Sequence, residues 1–588
     1  MTDFKLINIT DSLLEDISPS VSLPVISGSS SNNFQTFNSQ ASTGTNQLQF
    51  NVQIPSLQTA VSRSFLVEST LVLKIDFDQT AYAADTTVFD YGRTNSLQAF
   101  PLNSLITTVQ SNINNATVSV STREVMASLL KMYNYRELAT YNSLAPSMPD
   151  SFYQNYKDGI GSNNNVLANY SNGGLDKKFI PREAFPVELY SDEALNVPLS
   201  SLTVTVAKGA KAPQSIYLKV TTTEPLLFLS PYLSGNSNNQ GAFLGLNNLT
   251  LTLNLGNATR AMSNASYDTA GVKTITNVSF VRYTDPKLRL NFLTIPPVMY
   301  SKIEPKNVTN YNQYTAYQMI SSSNLAKNGG EQKYSFSNIQ LNQIPSKILI
   351  FARKAEASLT TYDSNSFLVI KNLSINFCNK SGLLSSASQS QLYETSIKNG
   401  LQQNFFEWSG QGVSDNGING EGSPGDSVVV PTLGSIAVID PSLDLSIDTQ
   451  YANGSSGNYN LQYDVNLINQ STTEDIMPTL YLLVVNTGIF VTDNGASSFS
   501  TGLLDQSSVL ETKTQNSVMD TTTYLHKIVG GSVSNLGSIT KHLKHAFSRH
   551  REKEAIVDAP ATESGSGMSG SGMSGAGSYR KTLHRFAK

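Results

Sequence analysis

Histidine, the side chain best suited to moving protons near neutral pH, is missing from the whole body of the chain. The five histidines, His526, His542, His545, His550 and His584, all fall in the C-terminal tail. The body therefore offers no base for a Ser or Cys triad and no His ligand for zinc. Neither a Gly-x4-Gly-Lys-Ser/Thr loop nor a His-Glu-x-x-His motif occurs. Cys378 is the single cysteine, so no intramolecular disulfide can form. With no His to activate it, Cys378 is expected to be a buried inert thiol at a strand end, not a nucleophile. Carboxylates remain. Asp415, Glu421 and Asp426 sit in the Gly-rich stretch 410–426. A glycosidase places two carboxylates about 5–10 Å apart across the scissile bond. Solvated loop charge is the plainer reading of these three. Trp408, in Asn404-Phe-Phe-Glu-Trp408, has the flat face of a sugar platform but is expected in the core or at a subunit contact. The EF-hand pattern is absent from the acidic loop, and no part of the sequence calls for a cofactor or a metal.

The tail carries a second kind of chemistry. The chain as a whole has a formal charge of -4, yet from Lys541 to Lys588 nine Lys/Arg face four Asp/Glu, so the body is acidic and the tail basic. Leu536, Ile539, Leu543 and Phe547 recur at helical spacing, with Lys541, Lys544, Arg549 and Arg551 on other faces. Such a helix could lie on a membrane or dock on a partner. Arg580, Lys581, Arg585 and Lys588 beyond it could neutralise phosphates of a genome.

Only 14% of the residues are charged, against roughly 25% in an ordinary globular protein. Asn, Ser, Thr, Gln and Tyr must supply the polar surface, which suits a β-rich chain with long uncharged loops. No signal peptide opens the sequence, which disfavours a secreted adhesin. The longest apolar run, Leu480 to Val491, is interrupted by Asn486, Thr487 and Gly488 and is too short to span a bilayer.

Residues 1–45 read as an arm, apolar at first and continuing into a polar Gly28-Ser-Ser-Ser-Asn-Asn stretch, and the arm is either a disordered terminus or a segment that orders against a neighbouring subunit. Leu48, Phe50, Val52 and Ile54 then alternate with polar residues as a half-buried strand does, and Phe65 to Phe77 continues the pattern. Leu105 to Val120 reads as a hairpin turning at Asn114-Asn115, and Thr122 to Tyr133 as a helix capped by Ser121 or Thr122. Residues 140–212 read as a loop excursion. Strands resume at Ile216–Val220, Leu226–Leu229, Leu249–Leu255 and Val278–Phe292. The order then repeats. Val52-Gln-Ile-Pro-Ser56 recurs as Asn342-Gln-Ile-Pro-Ser346 before a second apolar strand. Phe367 to Leu384 is again a hairpin, turning at Asn379-Lys380, and Ser385 to Lys398 again a Ser-capped helix. Two copies of one β-domain is the simplest account. The expected fold is all-β, two tandem sandwiches with short helices and long loops, divided as 1–45 arm, 46–295 first domain, 296–525 second domain and 526–588 flexible basic tail. Periodicity alone does not separate a jelly roll from an immunoglobulin-like sandwich, although the Cys–Trp–Cys hallmark of true immunoglobulin domains is missing.

Two stretches carry a family resemblance. Phe100-Pro-Leu-Asn-Ser-Leu-Ile-Thr-Thr-Val-Gln-Ser-Asn-Ile-Asn-Asn115 is one. The other runs from Ile339-Gln-Leu-Asn-Gln-Ile-Pro-Ser-Lys-Ile-Leu-Ile-Phe351 through Phe367-Leu-Val-Ile-Lys-Asn-Leu-Ser-Ile-Asn-Phe377 to Gly382, Leu392-Tyr393 and Asn399-Gly400. Both resemble the major capsid proteins of virophages and polinton-like viruses, in the double jelly-roll lineage of adenovirus hexon and tailless phages. The resemblance implies two eight-stranded jelly rolls and a structural, non-enzymatic role in the icosahedral shell of a DNA virus, assembled inside the host cell. It implies a homotrimer whose six jelly rolls form a pseudo-hexameric capsomer, packed against neighbouring capsomers. A hexagonal tile cannot close a shell, so a five-fold vertex (penton) protein and minor capsid proteins are implied as partners.

The same resemblance gives the tail a meaning. Ile528-Val-Gly530-Gly531 before Ser532 looks like the site cut by adenovirus-type cysteine proteases. Met568-Ser-Gly-Ser571 before Gly572, and Met573-Ser-Gly-Ala576 before Gly577, look like their second pattern. A maturation protease is thus a further expected partner. The rival functional reading is a carbohydrate-binding or glycoside-active β-sandwich protein.

Overall fold

The structure is a computed structural model that describes residues 4–7, 23–26, 34–40, 46–150, 185–232, 242–294, 306–415, 427–445 and 453–502. The tail from 503 onward lies outside them. All the described residues belong to one compact unit, Met1–Asn516.

Alternation builds the first sandwich. Its strands are β1 (Phe34–Asn38), β2 (Gln47–Gln53), β3 (Leu66–Phe77), β4 (Ile106–Ile113), β5 (Ala116–Val120), β6 (Ser215–Pro225), β7 (Asn248–Leu255) and β8 (Ile275–Thr294). In β2 every second residue is buried, and the register sets Leu48, Phe50 and Val52 opposite Leu253, Leu251 and Leu249 of β7. A period-two strand buries one face only, so this pairing puts both apolar rows into one core. One sheet has the order β1-β8-β3-β6 and the other β2-β7-β4-β5. The hairpin between β4 and β5 turns at Asn114-Asn115, as the sequence predicts, with Asn114 at a left-handed φ of 54°.

The second sandwich repeats the scheme. Its strands are β9 (Lys306–Ile320), β10 (Gly330–Gln343), β11 (Lys347–Lys354), β12 (Val369–Phe377), β13 (Lys380–Leu383), β14 (Ala437–Ile439), β15 (Ser456–Asn469) and β16 (Pro478–Asp493). The sheets run β9-β16-β11-β14 and β10-β15-β12-β13. Counting strands one to eight within each half, both halves read 1-8-3-6 over 2-7-4-5. That double Greek key is the jelly roll, present twice. Among the described residues no sheet mixes strands of the two halves. The repeated Gln-Ile-Pro-Ser motif lies between the second and third strands of each roll. The apolar run from Leu480 is the centre of β16, where Pro478 to Val485 are buried on both faces.

Four short helices matter below: α1 (Pro101–Leu105), α2 (Thr122–Leu129), α3 (Gln389–Lys398) and α4 (Phe405–Trp408). α2 and α3 follow the fifth strand of their respective rolls. α3 starts at Gln389, later than Ser385, because Ser388 and Gln391 form a reciprocal capping box there. α2 gives way to a 3-10 turn over Leu130–Met132, and its Ser121 cap makes no side-chain bond.

Three expectations are corrected. Leu226–Leu229 is not a strand: β6 ends at Pro225, and Phe228 takes a left-handed φ of 64° in a buried loop. Burial, not strand pairing, explains that apolar run. The excursion 140–212 contains two short strands: Glu188–Tyr190 pairs with β6, and Thr203–Val206 pairs with Thr86–Asp90. Within the stretch read as an arm, Phe34–Asn38 is β1 itself, paired with Lys287–Asn291 of its own chain.

All sheet neighbours are antiparallel, so odd and even strands run in opposite directions. The connections after odd strands therefore gather at one end of each roll and those after even strands at the other. The three longest connections, 78–105, 121–214 and 384–436, are all of the first kind. Each roll thus has one loop-bearing end and one tighter end.

Candidate functional site

The residues predicted for processing, Gly530, Gly531, Ser532, Ser571, Gly572, Ala576 and Gly577, lie outside the described residues, as do the five histidines and the basic helix. Of the acidic trio, Asp415 ends a hairpin strand, Gln411–Asp415, paired with Ser427–Pro431. Glu421 and Asp426 fall outside. Among the described residues no group of three or more His, Cys, Asp or Glu could hold a metal.

Trp408 is no platform. It is fully buried, its Nε1 donates to the Ile436 carbonyl at 2.8 Å, and Tyr393 packs on it at 5.7 Å between ring centroids. It is core of its own chain. Phe405 on the same helix is exposed, and the Phe406 ring lies against Gly412, where a Cβ would come within 1.5 Å of it. The expectation for Cys378 is overturned: its thiol is exposed. Alternation along β12 sends Phe377 inward, and Cys378 then opens the turn at a left-handed φ of 52°.

What the fold brings together is a polar seam between the two jelly rolls. At the loop-bearing end, Lys131, just after α2, reaches Glu407 of α4. Lys131 Nζ lies 3.0 Å from Glu407 Oε2, with 3% and 4% of the two side chains exposed. Tyr135 donates its hydroxyl to Glu407 Oε1 at 2.6 Å. Burial alone would pull the Lys131 ammonium down, but Glu407 holds it above its ordinary value. Burial pushes the Tyr135 phenol up to about 12, so it stays a donor. Nearby, Arg260 donates to the carbonyls of Thr360 and Asp363. The buried Tyr362 donates to the Ser266 carbonyl at 3.0 Å and accepts from the Ile275 N–H.

The tighter end is pinned separately. Gly495 N donates to the Gly245 carbonyl at 2.8 Å, Ser497 N to Asn115 Oδ1 at 2.7 Å, and Asn114 Nδ2 to Ser497 Oγ at 2.9 Å. Phe243 meets Phe490 edge-on beneath. Asn114 and Asn115 thus serve twice, as hairpin turn and as clamp. The sequence held one usable signal for this seam. Lys131 and Glu407 are single charges in apolar settings, Leu129-Leu-Lys-Met132 and Phe405-Phe-Glu-Trp408.

Two family models match the chain. "Sputnik virophage major capsid protein 1st domain" covers residues 2–293 and "Major capsid protein V20 C-terminal domain" covers residues 311–488. The chain belongs to the virophage major capsid protein family. The Sputnik virophage protein V20, named as a capsid protein, is 25% identical over 499 residues, which are 83% of this chain and 78% of that protein. A chain of the Sputnik virophage structure solved by cryo-EM superposes with a TM-score of 0.69 at 23% identity, over 89% of this chain and 98% of the other. The mavirus major capsid protein does so at 0.61 and 15%, over 82% of this chain and 93% of the other. The virophage capsid fold is therefore common to all three. In this chain the seam described above joins the two sandwiches of the capsid protein. Among the described residues no helix is long and apolar enough to cross a membrane.

Proposed function

We propose that this capsid protein works as a homotrimer, a pseudo-hexameric capsomer that tiles the icosahedral shell, and that it is not an enzyme. The observation that carries this is the identical strand order of the two rolls, fixed side by side by the seam. Three such chains present six similar sandwiches, and a ring of six similar edges packs in a hexagonal lattice. The two rolls, β1 to β8 and β9 to β16, are the tile, and the loop-bearing ends are its outward towers. Neighbouring capsomers, a five-fold vertex protein and minor capsid proteins complete the shell in this reading. The glycan-binding alternative loses its platform with Trp408 in the core.

The tail 526–588 is assigned to the capsid interior, where its basic residues meet genome or membrane until a maturation protease cuts after Gly531, Ser571 or Ala576. Native mass measurement of the purified full-length chain tests the assembly: a trimer is expected, and a monomer at every salt and pH would refute it. Intact mass of the protein from mature virions tests the tail, since a chain ending at Lys588 excludes obligatory processing.

A further inference from the structure

Three guanidinium groups meet in one cleft at the loop-bearing end of the seam. Arg123 comes from the first turn of α2, Arg260 from the connection between β7 and β8, and Arg353 from the end of β11. Glu356, Asn103 of α1 and Asn365 line the same cleft. Asn103, Arg123 and Arg260 belong to the first roll, the other three to the second.

The charges do not balance. Glu356 Oε2 accepts from Arg353 Nη2 at 2.8 Å, but its Oε1 stays 3.7 Å from Arg123 Nε, beyond a good hydrogen bond. Arg260 is met by two backbone carbonyls and the Asn365 side chain, all neutral. Glu124 acts on Arg353 through space. Three cations thus line the cleft against one carboxylate. A guanidinium cannot escape burial by losing its proton, and Arg353 is 2% exposed and Arg260 5%.

Hydrogen-bonding capacity is left over as well. Arg123 Nε and Nη2 and Arg353 Nε are buried without an acceptor. Nε and Nη2 form the side-on fork of a guanidinium, the edge that grips two oxygens of one oxyanion. Asn103 Oδ1 is buried without a donor, because its Nδ2 is held by Glu224 Oε2 at 2.8 Å. Spare cationic donors beside one spare acceptor complement a tetrahedral oxyanion that keeps a hydroxyl.

We propose that this cleft is a binding site for an oxyanion of the phosphate class, and that the bound anion ties the first jelly roll to the second. The role is structural: the anion neutralises surplus charge at the joint and accepts from both sides of it.

The test uses full-length protein exchanged into chloride buffer at pH 7. Sodium phosphate is titrated at constant ionic strength, with binding followed by calorimetry and by thermal unfolding. A saturable rise in Tm above the chloride control is expected. Arg123→Met should abolish that rise. Glu356→Gln should tighten phosphate binding several-fold, since it removes the one carboxylate that lines the cleft. A merely structural role for these residues would not move the two variants in opposite directions. No saturable effect in the wild type, or an unchanged effect in Arg123→Met, would overturn the proposal. Loss of binding in Glu356→Gln would do the same. A short single-stranded oligodeoxynucleotide distinguishes the source. Arg123-dependent binding of phosphate alone assigns the site to the free anion, and Arg123-dependent binding of the oligonucleotide as well extends it to nucleic-acid phosphates.

Discussion

Removing one member of the Lys131–Glu407 pair should open the joint between the rolls without unfolding either roll. The two charges are 3.0 Å apart with 3% and 4% of their side chains exposed. At an effective dielectric near 20 their attraction is about 5 kcal/mol, most of it offset by the desolvation of both ions. The net worth of the intact pair is therefore small, but the cost of orphaning one charge is not: about 3–5 kcal/mol. Lys131→Met leaves Glu407 with the Tyr135 hydroxyl as its side-chain donor and no cation. Hydrogen exchange reads the consequence locally. Gln402 N donates to the Lys131 carbonyl and Trp408 N to the Asn404 carbonyl, both beside the pair. A loss of 3 kcal/mol should speed exchange through local opening by about 100-fold at these amides, while amides of the β2-β7 ladder stay unchanged. The triple variant Lys131→Met, Glu407→Leu, Tyr135→Phe removes charges and stranded hydroxyl together and should return exchange to within about tenfold of wild type. A single variant that changes exchange less than about tenfold, or a triple variant worse than the single, would refute the reasoning.

Glu224 supplies a pH dependence. Its buried carboxyl is pushed up to about 7 by burial, against the pull of the Leu102 and Asn103 N–H groups and the Asn103 side chain. In the unfolded chain it titrates near 4.3. The folded state therefore holds the proton more tightly, so this group's contribution is complete below about pH 4 and fades as pH rises through 7. That is about 3 kcal/mol lost between pH 4.5 and 8. Thermal unfolding from pH 5 to 8 should show the decline, and Glu224→Gln should flatten it; an equal slope in the variant would exclude Glu224 as the source. Trp408→Ala should cost about 3–5 kcal/mol in unfolding experiments, where a surface platform would cost little. Gly434→Ala should abolish soluble expression, because φ is 96° and the new Cβ would lie 2.0 Å from the Phe367 carbonyl oxygen. Gly209→Ala, at φ 79° with nothing within 4 Å, should lose only about 1–2 kcal/mol of backbone strain.

By itself the sequence determined that the chain is β-rich, that it repeats, and where most strands lie. Those properties are local: a period-two apolar row such as Leu48, Phe50, Val52 needs only its own side chains to declare a buried face. Turn chemistry is equally local, as Asn114-Asn115 and the Ser388 capping box show. Family likeness was legible in the same way, in Phe100–Asn115 and the stretch from Ile339. Leu226–Leu229 misled because a buried loop and a buried strand share an apolar composition, and only pairing separates them. Cys378 misled because one residue beyond a strand end reverses the direction of the side chain. Phe34–Asn38 went unread because its five residues gain their meaning from β8, some 250 positions away. The 1-8-3-6 and 2-7-4-5 orders depend on long-range pairings that no window of sequence contains. The seam is the clearest case. Lys131 and Glu407 are separated by 276 positions, and Arg123, Arg260 and Arg353 come from a helix, a connection and a strand end far apart in the chain. Their charges acquire partners, or lack them, only when the two finished rolls meet. Burial then turns an ordinary surface pair into one whose separation is costly.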